Sequence, residues 1–140
     1  MSSNLDTSVV IVDFRHEMHS NSIECANVLL SQLRKLCKSM LDKCFHFIRK
    51  SSCTFSYNAH SNALEITYRV KRLFRKESVM LLTIQGSFVK CTISRNIRKS
   101  KKLSRALISI SEVSVSTVNC IYLYNAMQIA EGSEEVEDEE

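Results

Sequence analysis

Two short stretches of strict alternation constrain this chain more than any other feature. Cys53, Phe55 and Tyr57 alternate with Ser52, Thr54 and Ser56, and Leu64, Ile66 and Tyr68 alternate with Glu65, Thr67 and Arg69. A period of two sends successive side chains to opposite faces of a strand, so each stretch has one apolar face and one polar face. Only the polar Asn58-Ala59-His60-Ser61-Asn62 separates them, and the pair therefore reads as an antiparallel hairpin. A chain of 140 residues, 44% of them hydrophobic, supplies the apolar surface for one core and not for two.

The other elements follow from periodicity and punctuation. Residues 9–14 are a near-continuous apolar run rich in β-branched side chains, the pattern of a central strand covered on both faces. From Asn21, with Glu24 three residues on as a capping box, Leu29, Leu33, Leu36, Met40, Cys44 and Phe47 keep helical spacing and predict a helix over residues 22–47. Leu73, Phe74, Met80, Leu81 and Ile84 predict a second helix, closed by Gly86 in a left-handed cap. Val89, Cys91 and Ile93 predict a fourth strand, and a basic helix begins near Arg95. Beyond it, residues 108–115 admit a strand and residues 118–130 a helix that ends at Gly132. The expected class is α+β, a ferredoxin-like βαββαβ sheet with appended C-terminal helices. Residues 1–131 form one domain, and residues 132–140 are an acidic disordered tail.

Several function classes are excluded on chemical grounds. With two glycines and no proline, neither glycine-rich phosphate loop can be written. No run reaches the roughly 18 apolar residues of a membrane span, and no signal sequence opens the chain, so membrane insertion and secretion are not expected. The six cysteines (Cys25, Cys37, Cys44, Cys53, Cys91, Cys120) form no C-x-x-C pair, which favours reduced, core-filling thiols. His16, Glu17 and His19 miss the H-E-x-x-H zinc motif, whose histidines stand four apart, and read as a surface loop. His46, between Phe45 and Phe47, reads as packed in the first helix, and His60 lies in a turn. Cys37 and Cys44 fall on the apolar stripe of that helix, where a thiol fills space. No carboxylate pair suggests acid/base or two-metal chemistry. The expectation is therefore no catalytic residue, no metal, no cofactor and no small-molecule substrate.

Charge is the positive signal. Glu134, Glu135, Glu137, Asp138, Glu139 and Glu140 are six of the 15 acids, which leaves residues 1–133 with nine acids against all 19 bases, a net +10. Such a body favours a polyanionic partner. Arg95, Arg98, Lys99, Lys101, Lys102 and Arg105 fall within eleven residues, and helical spacing would bring Arg95, Arg98, Lys102 and Arg105 onto one face. Arg69, Lys71, Arg72, Arg75 and Lys76 form a second cluster. Like charges as close as those at 95–105 repel, so that cluster calls for a counter-anion such as phosphate. Arg34, Lys35, Lys38, Lys43, Arg49 and Lys50 read as a solvated face. No aromatic stacking motif of the RRM kind is present, so charge and shape must dominate any RNA contact. A small adaptor that docks an acidic protein is the alternative.

Two stretches carry a resemblance. L-E-I-T-Y-R-V-K-R-L-F at 64–74 and I-S-R-N-I-R-K-S-K-K-L at 93–103 are similar to motifs of the Pop five/Rpp fourteen family of ribonuclease P and ribonuclease MRP protein subunits. Arg95-Asn96 stands where that family commonly has Gly-Thr, and the family's basic, aromatic opening is absent. The matching positions are Arg69, Lys71, Arg72, Ile97, Arg98, Lys99, Lys101 and Lys102. The resemblance implies a non-catalytic, RNA-binding subunit of a ribonucleoprotein whose RNA cleaves tRNA 5′ leaders. It also implies a partner subunit of the Rpp thirty type, a role in tRNA and rRNA processing, and residence in the nucleus (nucleolus) or cytoplasm.

Overall fold

The computed structural model describes residues 10–13 and 20–138. They form β1 (Val10–Asp13), α1 (Ser20–Asp42), β2 (Ile48–Asn58), β3 (Ala63–Arg72), β4 (Ser78–Gln85), β5 (Phe88–Ile93) and α2 (Lys101–Asp138). The strands lie side by side in chain order. β1 pairs in parallel with β2, the geometry that requires a crossover such as α1, and β2 to β5 form an antiparallel meander. The class is α+β, as the alternation and helical periodicity predict.

The ferredoxin-like order is not what forms. A strand, β4, occupies the segment predicted as the second helix. Apolar runs such as Val79-Met80-Leu81-Leu82 satisfy either period, and burial is what separates the readings. Here Ser78, Met80, Leu82 and Ile84 are buried while Val79, Leu81 and Thr83 are only partly covered, a period of two. Gly86 takes φ +59° not at a helix end but in the two-residue turn between Gln85 and Phe88, where hairpins favour a left-handed residue. The apolar run at the N-terminus is an edge strand and not a central one. His16, Glu17 and His19 lie outside the described residues.

α1 begins at Ser20 and ends at Asp42, five residues short of the predicted end. Asn21 is therefore inside the helix and not its cap; its amide reaches Gln128 of α2 at 3.4 Å. The stripe that packs is Ala26, Leu30, Leu33, Cys37 and Leu41, one step round from the predicted one, which leaves Leu36 exposed. The chain leaves the helix because Phe45 turns inward to stack on Tyr68, ring centroids 5.9 Å apart. His46 is exposed in this connection and not packed in a helix.

At the C-terminus one continuous helix replaces both the predicted strand at 108–115 and the helix expected to close at Gly132. It runs on to Asp138, so the expected disordered tail is helical through that residue. The predicted basic helix from Arg95 starts six residues later. Ser100 is its N-cap, its Oγ accepting from the Leu103 N–H at 3.1 Å, and residues 94–100 form a loop pinned by the buried Ile97. Leu103, Ala106, Ile110, Ser114, Val118 and Ile121 make the inner stripe of α2, which packs antiparallel on α1 and against the sheet. By length and mean hydropathy alone residues 101–131 would also suit a bilayer, and 28% of the apolar window is buried inside the protein.

All six cysteines are free thiols. Cys37 and Cys53 fill the core, and burial pushes the Cys37 thiol far up. Cys91 and Cys120, expected in the core as well, are exposed.

Candidate nucleic-acid interface

The meander decides where the charges go. Antiparallel strands alternate direction, so the C-terminus of β3, the N-terminus of β4 and the C-terminus of β5 share one end of the sheet. The pairs Val70 to Ser78 and Met80 to Ile93 fix this, and the Ser94 N–H donates to the Val79 carbonyl at 3.0 Å. The same end receives the end of α1, the start of β2 and the start of α2. Both predicted clusters therefore meet at one end, a relation the sequence leaves open.

They meet from different layers. Val70 and Tyr68 point into the core, so Arg69 and Lys71 stand exposed on the opposite face of the sheet. Arg72 is half-buried, its guanidinium 4.8 Å above the Phe45 ring. Arg75 and Lys76 project from the β3–β4 loop. Arg95, Arg98 and Lys99 are exposed in the β5–α2 loop, and Lys101, Lys102 and Arg105 on the first turns of α2. The single helical face predicted for Arg95, Arg98, Lys102 and Arg105 does not exist, because α2 begins after the first two of them. Lys102 and Arg105 instead join Lys43 around a cleft of about 300 Å³ between the end of α1 and the start of α2.

Residues read from sequence as a solvated face enlarge the patch. Lys50 is paired directly across from Lys71. Directly opposed like charges destabilise a sheet, so this pair has a use for an anion. Lys38 does not join them. Its ammonium is held by Asp42 Oδ2 at 2.9 Å and by Ser51 Oγ at 2.8 Å. Asp42 is committed in turn, accepting the Tyr68 hydroxyl at 2.5 Å, so both of its oxygens are engaged within the protein.

Two functional candidates were not visible in the alternation: Phe74, 85% exposed, and Phe47, 73% exposed. Phe74 sits in the β3–β4 loop beside Arg75 and Lys76. Phe47 precedes β2 with φ 56°, a left-handed conformation that a bulky residue adopts at a cost, and its carbonyl is tied to the Leu73 N–H at 2.8 Å. That bond holds the two segments together. The signal in the sequence is an aromatic inside a cationic run, Arg72-Leu73-Phe74-Arg75-Lys76, where helical spacing instead assigns Phe74 to a helix. Aromatic faces beside cations offer nucleic-acid bases a stacking surface and phosphates a counter-charge.

The thiols nearest the patch are not activated. Burial pushes Cys44 up, with Lys102 pulling the other way, and burial raises Cys91 against the pull of Lys99. Comparisons with protein-family models, with curated proteins and with solved structures found no match.

Proposed function

We propose that this protein is a non-catalytic RNA-binding protein that grips a single-stranded or looped RNA segment at the basic end of its sheet. The observation that carries the reading is the convergence of both cationic clusters on one end, together with Phe47 and Phe74 held out to solvent. Phosphates sit against Arg69, Lys71 and Arg98, while bases stack on the two rings. Arg72, its guanidinium over the Phe45 ring, is a further donor at this end.

The wider placement, as a subunit of a ribonuclease P/MRP-like ribonucleoprotein, rests on the resemblance at 64–74 and 93–103. Sequencing the RNA recovered with the tagged protein tests it. Fluorescence anisotropy with a labelled single-stranded RNA across a salt series tests the binding itself. The expected line of log affinity against log salt is steep, and the Arg69→Gln, Lys71→Gln, Arg98→Gln variant lowers the slope by about two, at roughly 0.7 per phosphate contact. Retention of the full slope by a folded triple variant removes this face from the proposal.

A further inference from the structure

The outer side of α2 carries a pattern that neither the core nor the basic end uses. Val113, Ser116, Cys120, Leu123, Met127 and Ala130 follow one another at alternating steps of three and four residues, the seam of a coiled coil. All six are exposed, Leu123 and Met127 each by 60%. The seam is flanked by Leu29 and the exposed Val28 of α1, so its apolar surface continues across the groove between the helices. At 1.5 Å per residue it runs about 26 Å.

The seam is complementary to itself in only one direction. Laid against an antiparallel copy about its midpoint, Val113 comes opposite Ala130, Ser116 opposite Met127 and Cys120 opposite Leu123. A smaller side chain meets a larger one at every level, the interdigitation that fills an interface without voids.

The charges at the two ends of α2 point the same way, apart from Glu112 and Glu131, which this register brings to one level. Lys101, Lys102 and Arg105 occupy its N-terminal turns, with no acid in the first turn, and the sequence places Glu134, Glu135, Glu137 and Asp138 on its last turns, with no base there. Both ends oppose the helix dipole, which favours anions at the N-terminus and cations at the C-terminus. An antiparallel copy brings the acidic end of each helix to the basic end of the other, with Arg105 at the level of Asp138 of the second copy. A parallel copy would stack like on like.

We propose that two copies of this chain associate through α2, antiparallel and two-fold symmetric, with Leu123 and Cys120 at the centre of the interface. The contact is isologous, so it closes as a dimer. It leaves the two basic ends at opposite extremities of the pair, and it does not rest on the RNA reading.

Sedimentation equilibrium of the full chain in low salt, without RNA, should give the mass of two chains. Leu123→Asp with Met127→Asp, both at exposed positions, should give one chain, with the circular dichroism of the native fold. Direction is tested by charge reversal. Lys101→Glu, Lys102→Glu, Arg105→Glu in one variant and Glu134→Lys, Glu135→Lys, Asp138→Lys in another should each weaken self-association at least tenfold, and mixing the two should restore a dimer. A third measurement needs no variant: the alkylation rate of Cys120 should fall severalfold as the protein is concentrated, while that of Cys91, on β5, stays constant. A single-chain mass at about 100 µM, a dimer indifferent to the two aspartates, a mixture that stays monomeric or a Cys120 rate independent of concentration overturns the proposal.

Discussion

Replacing Phe74 with alanine should separate stacking from charge at the basic end. The ring is 85% exposed, so of the roughly 200 Å² that such a side chain can bury only about 30 Å² is covered. At about 25 cal/mol per Å² the substitution costs under about 1 kcal/mol of stability, and the melting temperature should move by a few degrees at most. A base stacked on that ring contributes about 1–3 kcal/mol, so affinity for a single-stranded RNA should fall by about 5- to 150-fold. No charge is removed. The line of log affinity against log salt should therefore shift down in parallel, whereas the Arg69→Gln, Lys71→Gln, Arg98→Gln variant should tilt it. Anisotropy titrations at four salt concentrations distinguish a shift from a tilt, and Phe47→Ala should behave as Phe74→Ala does. Unchanged affinity in folded Phe74→Ala, or a loss that appears only as a change of slope, refutes the stacking role.

Alkaline pH probes the covered face of the sheet. Burial pushes Tyr57 up to about 12 from an ordinary 10.0, and burial, together with the hydrogen bond to Asp42 and its charge, pushes Tyr68 higher still. Their neutral forms are favoured in the native state, so this stability is fully present below about pH 10 and is lost as pH climbs through the folded values. Chemical denaturation from pH 9 to 12 should show the fall, and Tyr68→Phe should flatten it. Leu30→Ala, at a fully buried position of α1, should cost about 2–5 kcal/mol in urea unfolding. Gly86→Ala should cost about 1–2 kcal/mol through its φ of +59° alone, since nothing lies within 4 Å of an added Cβ, and Gly86→Asn should cost less.

The sequence by itself determined the elements whose period is unambiguous. The hairpin of β2 and β3 is legible because strict alternation permits one structure, and α1 is legible because apolar residues recur at helical spacing over about four turns. The two cationic clusters are legible as composition. The tertiary structure decided the rest, for identifiable reasons. The segment from Ser78 to Gln85 is apolar enough for either period, and only pairing with β3 on one side and β5 on the other makes it a strand. That outcome carries the site with it, since the direction of each strand in the meander determines which ends share an edge. A helix in place of β4 would have left Arg69 and Arg98 without a common end by necessity. The exposure of Phe47 and Phe74 was hidden for a related reason: composition marks an aromatic as core, and only the turn geometry at Phe47 and the loop after Arg72 turn these rings outward. The outer seam of α2 became readable once Leu103, Ile110, Val118 and Ile121 were assigned to the core, because one helix carries two apolar stripes and the sequence does not say which faces inward.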